Sequence, residues 1–338
     1  MIRGAAELVA AAAPESGLAL ADALRAGGLL PECATLAHHA QDPARLMRAL
    51  VAIGRANMSA GRIFEGHVNA VKLLHLFGAP LDDVRAGLLF GIWGADGPDP
   101  ARIEGDRLRG AKLFASGADV LDRMIVTVRL DNQPQLLLLR RDQLEGRLFP
   151  KEWDVSGMKA TASGRCNLEG LSLSEAVPLG TPGDYLTEPH FQGGVWRYAA
   201  VQLGAMQALT AITAAQLAKR GQQNAPLQSL RLRRMVTACE TARLWLLQAA
   251  RAVERPAATP ADAEAAILAR LVTADEATAL MAAMDQALGA ASFATAHPAD
   301  RIRRDLTFYI RQANPDALGQ SAMDRILSNS ARMERWIP

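Results

Sequence analysis

Trp153-Asp-Val-Ser-Gly-Met-Lys-Ala-Thr-Ala-Ser163 is the stretch from which the fold of this chain is read. It is a polar turn carrying Gly157, opened by a tryptophan and closed by the hydroxyl residues Thr161 and Ser163. Asn167 to Val177 follows with an alternating Leu168, Leu171 and Leu173 pattern, and then Pro178-Leu-Gly180. Long helical text begins soon after, at Gly194. The turn therefore stands where a β-patterned middle gives way to helices.

Upstream of the turn the text is a series of short strands. Leu88-Leu-Phe-Gly-Ile-Trp93 is a β-type run. Arg102 to Leu108 reads as a hairpin, because Gly105-Asp106 supplies the positive-φ turn chemistry between two short arms. Lys112 to Ser116 reads as another strand ending at Gly117. Arg123 to Leu130 and Gln135 to Leu139 are two more, joined by Asp131-Asn-Gln-Pro134. Short strands at regular spacing predict a small antiparallel sandwich or barrel.

Both flanks are helical. Gly17 to Ala26 is a short amphipathic piece closed by Gly27-Gly28, and Asp42-Pro43 opens a helix with an N-cap followed by proline at the first position. Ser59 to Phe77 continues until Gly78-Ala-Pro80. Downstream, Val195 to Lys219, Leu227 to Val253 and Pro260 to Gly289 are long helices, and a fourth starts at Pro298. Gly204 and the alanines of the first suit close helix packing. The order predicts a mostly α, α+β chain: an N-terminal helical domain (1–86), a central β-domain (87–188) and a C-terminal antiparallel four-helix bundle (189–338).

Composition excludes several function classes. The net charge of +2 gives no global reason to expect nucleic acid. No run of about 18 apolar residues suggests a membrane span, and Ala5 to Ala13, cut by Glu7 and ended by Pro14, is too short and too weakly basic for a signal peptide. The three cysteines, Cys33, Cys166 and Cys239, form no C-x-x-C and suit a reduced compartment, so a cytoplasmic location is expected. His67 and His75 share a helix face without a third ligand, and the adjacent His38-His39 reads as a loop, so no metal site is expected. Cys166 has no histidine near it in sequence and reads as a buried thiol. Arg231, Arg233 and Arg234 read as a solvated helix face, and Gln202, Gln207 and Gln216 as hydrogen-bonding residues at interfaces. Trp196 and Tyr198 are candidates for shaping a pocket.

Four short motifs add a resemblance. Gly110-Ala-Lys112-Leu-Phe114-Ala-Ser116-Gly-Ala118 is the first, and the Trp153 to Ser163 turn is the second. Gln286-Ala-Leu-Gly289 and Asp300-Arg-Ile-Arg-Arg304-Asp305 complete the set. Their order resembles the acyl-CoA dehydrogenase superfamily, whose β-domain and helical domains hold FAD. The resemblance implies that Phe114 and Ser116 lie against a flavin ring, with Trp93 a candidate to stack near it. It also implies that Arg220, ending the first long bundle helix, serves the pyrophosphate, and that Gln286 and Gly289 serve the FAD of a neighbouring subunit. A homodimer or homotetramer built on the bundle follows. A flavin site of this kind needs an aromatic wall, a few hydrogen bonds and cationic donors, which these residue types supply.

The chain departs from the family at three places. The family's catalytic glutamate follows the arginine-aspartate pair by about eight residues, where this chain has Gln312-Ala-Asn-Pro315; the other family seat, before Arg197, holds Trp196. Asp316, Glu188 and His190 are the nearby substitutes, and the catalytic residue is left unassigned. The family's T-E-P-x-x-G-S-D segment is Trp93-Gly-Ala-Asp-Gly-Pro-Asp-Pro100 here, with the hydroxyls gone. The N-terminal helical segment is also short. The expected function is an FAD-linked oxidoreductase acting on an acyl thioester or related small molecule. A flavin-dependent monooxygenase of the same fold and a catalytically degenerate scaffold are the alternatives.

Overall fold

The computed structural model describes residues 1–37, 42–312 and 314–337; His38 and His39 lie outside them. The chain opens with helices α1 (Ile2–Ala11), α2 (Gly17–Ala26), α3 (Leu29–Leu36), α4 (Pro43–Ala56), α5 (Met58–Leu76) and the single turn α6 (Asp82–Arg85). Nine strands follow: β1 (Phe90–Trp93), β2 (Arg102–Glu104), β3 (Arg107–Arg109), β4 (Ala111–Lys112), β5 (Arg123–Leu130), β6 (Gln133–Arg140), β7 (Leu148–Phe149), β8 (Arg165–Asn167) and β9 (Val177–Leu179). The remainder is helical: α7 (Trp196–Lys219), α8 (Pro226–Val253), α9 (Asp262–Leu288), α10 (Pro298–Tyr309), α11 (Pro315–Leu327) and α12 (Ser330–Trp336). The predicted order of N-terminal helices, central β-structure and long C-terminal helices is what the chain adopts.

Contacts divide the chain into two compact units. One comprises Met1–His39, Ser59–Val155 and Lys159–Thr187; the other comprises Ala40–Met58, Ser156–Met158 and Glu188–Pro338.

In the first unit, α5 lies beside α3 and is stapled to it by two histidines. Buried His67 sets its Nε2 3.1 Å from the Leu30 carbonyl while its Nδ1 accepts from the Phe90 amide at 3.1 Å. His75 Nε2 sits 2.7 Å from the Ala34 carbonyl. The eight-residue spacing does put both rings on one face, and that face is spent on helix packing. The main sheet runs β3-β2-β5-β6-β9, with β1 on β5. Its longest ladder is the antiparallel β5–β6 hairpin, turned by Asp131 and Asn132 at φ of 48° and 63°, the left-handed geometry that short polar side chains tolerate. The ladders of β1 and β2 on β5 run parallel. A second sheet is ordered β4-β8-β7.

One strand expectation shortens. Lys112 to Ser116 pairs only through Ala111–Lys112, because the chain turns left-handed at Phe114 (φ 52°) and Gly117 (φ 75°). The amides of Ala115 and Gly117 bond instead to the carbonyls of Gly164 and Thr161. Behind the Trp153 turn Arg165–Asn167 and Val177–Leu179 are extended; between them Leu168 and Leu171 are buried, and Leu173 begins a single 3-10 turn.

In the second unit, α7, α8 and α9 pack antiparallel, and α4 joins them by crossing α7 at two glycines. A Cβ on Gly54 would lie 2.4 Å from the Val201 carbonyl oxygen, and one on Gly204 2.3 Å from that of Val51. The crossing has room for hydrogen alone at both positions. Asp42 caps α4 by accepting from the Arg45 amide at 2.9 Å, as its Asp-Pro start predicts. No helix among the described residues is long and apolar enough to cross a membrane.

Candidate functional site

In the first unit, the turn at Phe114 presents an aromatic ring to solvent. Phe114 is 57% exposed, and its ring meets that of Trp153 edge to face at 5.9 Å. A bulky residue held at positive φ is costly, so the backbone bonds of Ala115 and Gly117 must over-determine it. Beside it, hydroxyls form a short chain: Ser163 Oγ donates to Ser116 Oγ at 2.9 Å, and Thr161 Oγ1 lies 2.8 Å from Ser163 Oγ. Trp93 is buried, its indole Nε1 donating to the Ser116 carbonyl at 3.0 Å, so it braces this turn from the core side.

Lys112 braces the same region from below. Fully buried, its Nζ donates to the Gly94 carbonyl (3.1 Å), Asp96 Oδ1 (2.6 Å) and Thr127 Oγ1 (2.8 Å), which uses all three ammonium protons. Burial pulls its pKa down, against the opposing pull of Asp96. The segment Gly94–Asp96, where the resemblance expects hydroxyls, is thus fastened through its backbone and one carboxylate.

In the second unit, Arg220, Gln286 and Gly289 share one end of the bundle. Arg220 caps the C-terminus of α7, Gln286 lies in the last turn of α9, and Gly289 ends that helix at φ 68°. All three are exposed. The end is tied together by His297, whose Nε2 sits 2.6 Å from Gln216 Oε1, and by Gln228 donating to the Ala287 carbonyl at 3.3 Å.

The motif Asp300 to Asp305 is structural throughout. Asp300 accepts from Arg303 (2.6 Å) and Arg304 (2.9 Å), and Arg303 stacks 3.6 Å above the ring of Phe293. Arg304 Nη1 donates to the Ser156 carbonyl (2.7 Å), and Asp305 accepts from the Met158 amide (2.6 Å). The middle of the Trp153–Ser163 stretch is therefore clamped onto the middle of α10.

Neither seat that the resemblance reserves for a base carries a carboxylate among the described residues. Trp196 is buried, and its Nε1 donates to Glu254 Oε1 at 3.2 Å; Arg197 Nη1 donates to the same oxygen at 2.8 Å. Past α10, the carbonyls of Ile310 and Gln312 accept from buried Arg270 at 2.6 and 3.0 Å, while Arg270 Nε donates to the Tyr198 hydroxyl at 3.3 Å. Glu188 accepts from the amides of Gln192 and Gly193; burial pushes its carboxyl pKa up, opposed by those bonds and by Arg325. That makes it a loop staple. His190 and Asp316 are exposed. Gln202 is buried and donates to the Tyr309 carbonyl, and the Cys166 thiol is buried with its pKa pushed up to about 12. Among the described residues no group of His, Cys, Asp and Glu has the makings of a metal site.

Ser163, Lys112, Thr127 and Asp96 were not singled out as site residues from sequence. Lys112 and Ser163 stand inside the quoted motifs, so a signal for them existed. Asp96 and Thr127 carried none, since only the fold brings them to Lys112.

Residues 185–310 match the family described as Acyl-CoA dehydrogenase, C-terminal domain. No curated protein sequence matches the chain. Among solved structures, the chain is similar to dibenzothiophene monooxygenase (TdsC) from Paenibacillus sp. A11-2, at 20% identity and TM-score 0.72 over 91% of this chain and 89% of that one. It is similar to butyryl-CoA dehydrogenase from Megasphaera elsdenii, at 18% identity and TM-score 0.72 over 83% and 81%. It is also similar to 3-HSA hydroxylase from Rhodococcus sp. RHA1, at 16% identity and TM-score 0.73 over 91% and 89%. The C-terminal segment thus matches that family's C-terminal domain, and the chain shares its fold with these solved structures.

Proposed function

We propose that the protein is a flavin-dependent oxidoreductase acting on a small molecule. The observation that carries this reading is the solvent-facing Phe114 ring beside the Ser116–Ser163 hydroxyl pair, held on a turn that the core over-determines. These residues fit the group: the ring offers an apolar wall, and the serine hydroxyls offer hydrogen bonds to a heteroaromatic edge. Arg220 and Gln286, exposed at one end of the bundle, offer the cationic and amide donors that a pyrophosphate needs. A bound flavin supplies two-electron redox chemistry; the chain's part is to hold it, orient the substrate and exclude water. FAD is the cofactor in this reading. FMN is the competing one, because a solved structure of the similar TdsC is described as FMN-bound.

For the reaction, an acyl thioester dehydrogenase is the first reading and a monooxygenase the second. The second is favoured by the Phe114-Ala-Ser-Gly117 version of the turn and by the lack of a carboxylate at either described base seat. Exposed Leu227, Leu230, Val236 and Leu244 along α8 support assembly with a second copy. Visible absorption of the purified protein, before and after incubation with FAD or FMN, is the test. Flavin bands that bleach under an acyl-CoA without oxygen indicate the dehydrogenase. Reduction only by an external flavin reductase indicates the monooxygenase. A protein that takes up neither flavin refutes both and leaves the degenerate scaffold.

A further inference from the structure

Helices α11 and α12 are attached to the second unit mainly by charge. Among their residues only Ala322 and Ile326 are fully buried, while Met323, Leu327 and Ile337 face solvent. So little apolar burial gives weak adhesion. Against this stand three arginines on acidic partners. Arg332 Nη1 lies 2.9 Å from Glu264 Oε1, and Arg335 Nη2 donates to Asp262 Oδ1 at 2.9 Å. Both carboxylates are fully buried and both lie in the first turn of α9, where a helix N-terminus favours negative charge. Neither oxygen of Glu264 accepts a well-aligned hydrogen bond, so the arginine is its compensation. The third arginine reaches elsewhere: Arg325 donates to the Gln192 side chain and lies 3.8 Å from Glu188. Glu188 in turn holds the amides of Gln192 and Gly193, in the loop that leads into α7. The Trp336 indole stacks on Trp245 at 6.1 Å and 16°.

We propose that α11–α12 is a detachable strap: its arginines dock on the acidic first turn of α9 and, through Arg325, fasten the loop Glu188–Val195 at the entrance to α7. Opening the strap releases that loop and leaves the α7–α8–α9 packing intact. The device does not depend on whether the protein binds flavin.

Hydrogen exchange of the intact protein, read by mass spectrometry, tests this against R332Q/R335Q. Exchange over residues 315–337 is expected to quicken by about tenfold or more, because it follows the local opening equilibrium. Residues 188–195 should quicken with it, while the centres of α7 and α9 stay unchanged. R332K/R335K should keep part of the protection. The Trp245–Trp336 pair gives a second readout, since its near-ultraviolet dichroism should fall in the double glutamine variant and return toward wild type in the lysine one. Two outcomes overturn the proposal: faster exchange over 315–337 with 188–195 unmoved, or loss of protection throughout the bundle. If R332Q/R335Q does not fold, wild-type protein between roughly 0.05 and 1 M salt serves instead, because salt weakens these pairs, whose arginines are partly exposed, while leaving the apolar packing of the bundle in place. The same two segments must then quicken together, and a uniform response or none refutes the strap.

Discussion

His67 sets a pH limit on the first unit that can be worked out from its contacts. Its Nδ1 accepts the Phe90 amide proton, so its proton is on Nε2 and points at the Leu30 carbonyl. A second proton on Nδ1 would lose the Phe90 bond and place a charge in a fully buried site beside the Phe90 ring. Burial lowers the imidazole pKa to about 4, against the smaller upward pull of the Leu30 bond. The unfolded chain takes its proton near pH 6.5. Between these values the unfolded state binds a proton that the folded state refuses, so stability falls as the pH falls. It is fully present above about pH 6.5 and declines by about 1.4 kcal/mol per pH unit, a loss of about 3 kcal/mol by pH 4. His67→Gln keeps a donor and an acceptor without a titrating group, at a cost of about 1–2 kcal/mol at neutral pH from poorer geometry. Denaturant unfolding of both proteins from pH 7.5 to pH 4 should therefore give stability curves that converge and cross between about pH 5 and 6, with the variant more stable below. Parallel curves would refute the neutral, doubly bonded histidine.

Gly204→Ala and Gly54→Ala each push a methyl into the facing backbone of the α4–α7 crossing and should lower stability by about 1–3 kcal/mol. Gly66→Ala on α5 is the control: its nearest neighbour would be 3.8 Å away, so the helix gains about 0.5–1 kcal/mol and the thermal midpoint rises. Glu254→Gln replaces the buried carboxylate facing Arg197 by a neutral amide and should cost about 3 kcal/mol, most of it absent when Arg197 is also replaced by Met. Gly157→Ala sets a Cβ 2.4 Å from the Arg304 carbonyl oxygen, and Asp305→Ala removes the acceptor for the Met158 amide. Each should cost about 1.5–3 kcal/mol, with Asp305→Asn milder because its amide oxygen still accepts. Thermal unfolding measures all of them, and a neutral Gly157→Ala would mean that the Ser156–Met158 segment is not clamped on α10.

The long helices were legible because their signals are local. Asp42-Pro43 capped α4 as read, and α7 to α10 begin and end within a few residues of their sequence patterns. The Asp131-Asn132 hairpin was legible for the same reason. The short strands were not, since Lys112 to Ser116 has β-type residues yet the amides of Ala115 and the following Gly117 go to the carbonyls of Gly164 and Thr161, a turn about fifty residues away. Helix α11 repeats the signal of α4: Asn314 caps it by accepting from the Ala317 amide, and Pro315 takes the first position. It went unread because the pattern of exposed Met323 and Leu327 offers no apolar stripe. For the site, Phe114 and Ser116 do share one turn, as do Arg220, Gln286 and Gly289 one bundle end. Trp93, read either as a candidate to stack near the ring or as ordinary core, is buried, with its indole proton on the Ser116 carbonyl.

Why the motifs identify the scaffold and leave the reaction open follows from what their residues are used for. Buried Lys112 gives its three protons to Gly94, Asp96 and Thr127, Gly157 lies against the backbone of α10, and Asp305 holds an amide whose residue is itself left-handed. A buried polar group tolerates few replacements, because each leaves an unpaired donor or acceptor worth about 1–3 kcal/mol. At these positions of this chain a change of residue type therefore carries a folding penalty. The base seats obey a different rule. Trp196 is accommodated by giving its indole proton to Glu254, and the turn after α10 is held through the carbonyls of Ile310 and Gln312, which any side chain provides. Arg270 grips the backbone there, so that hold itself does not depend on which side chains Ile310 and Gln312 carry.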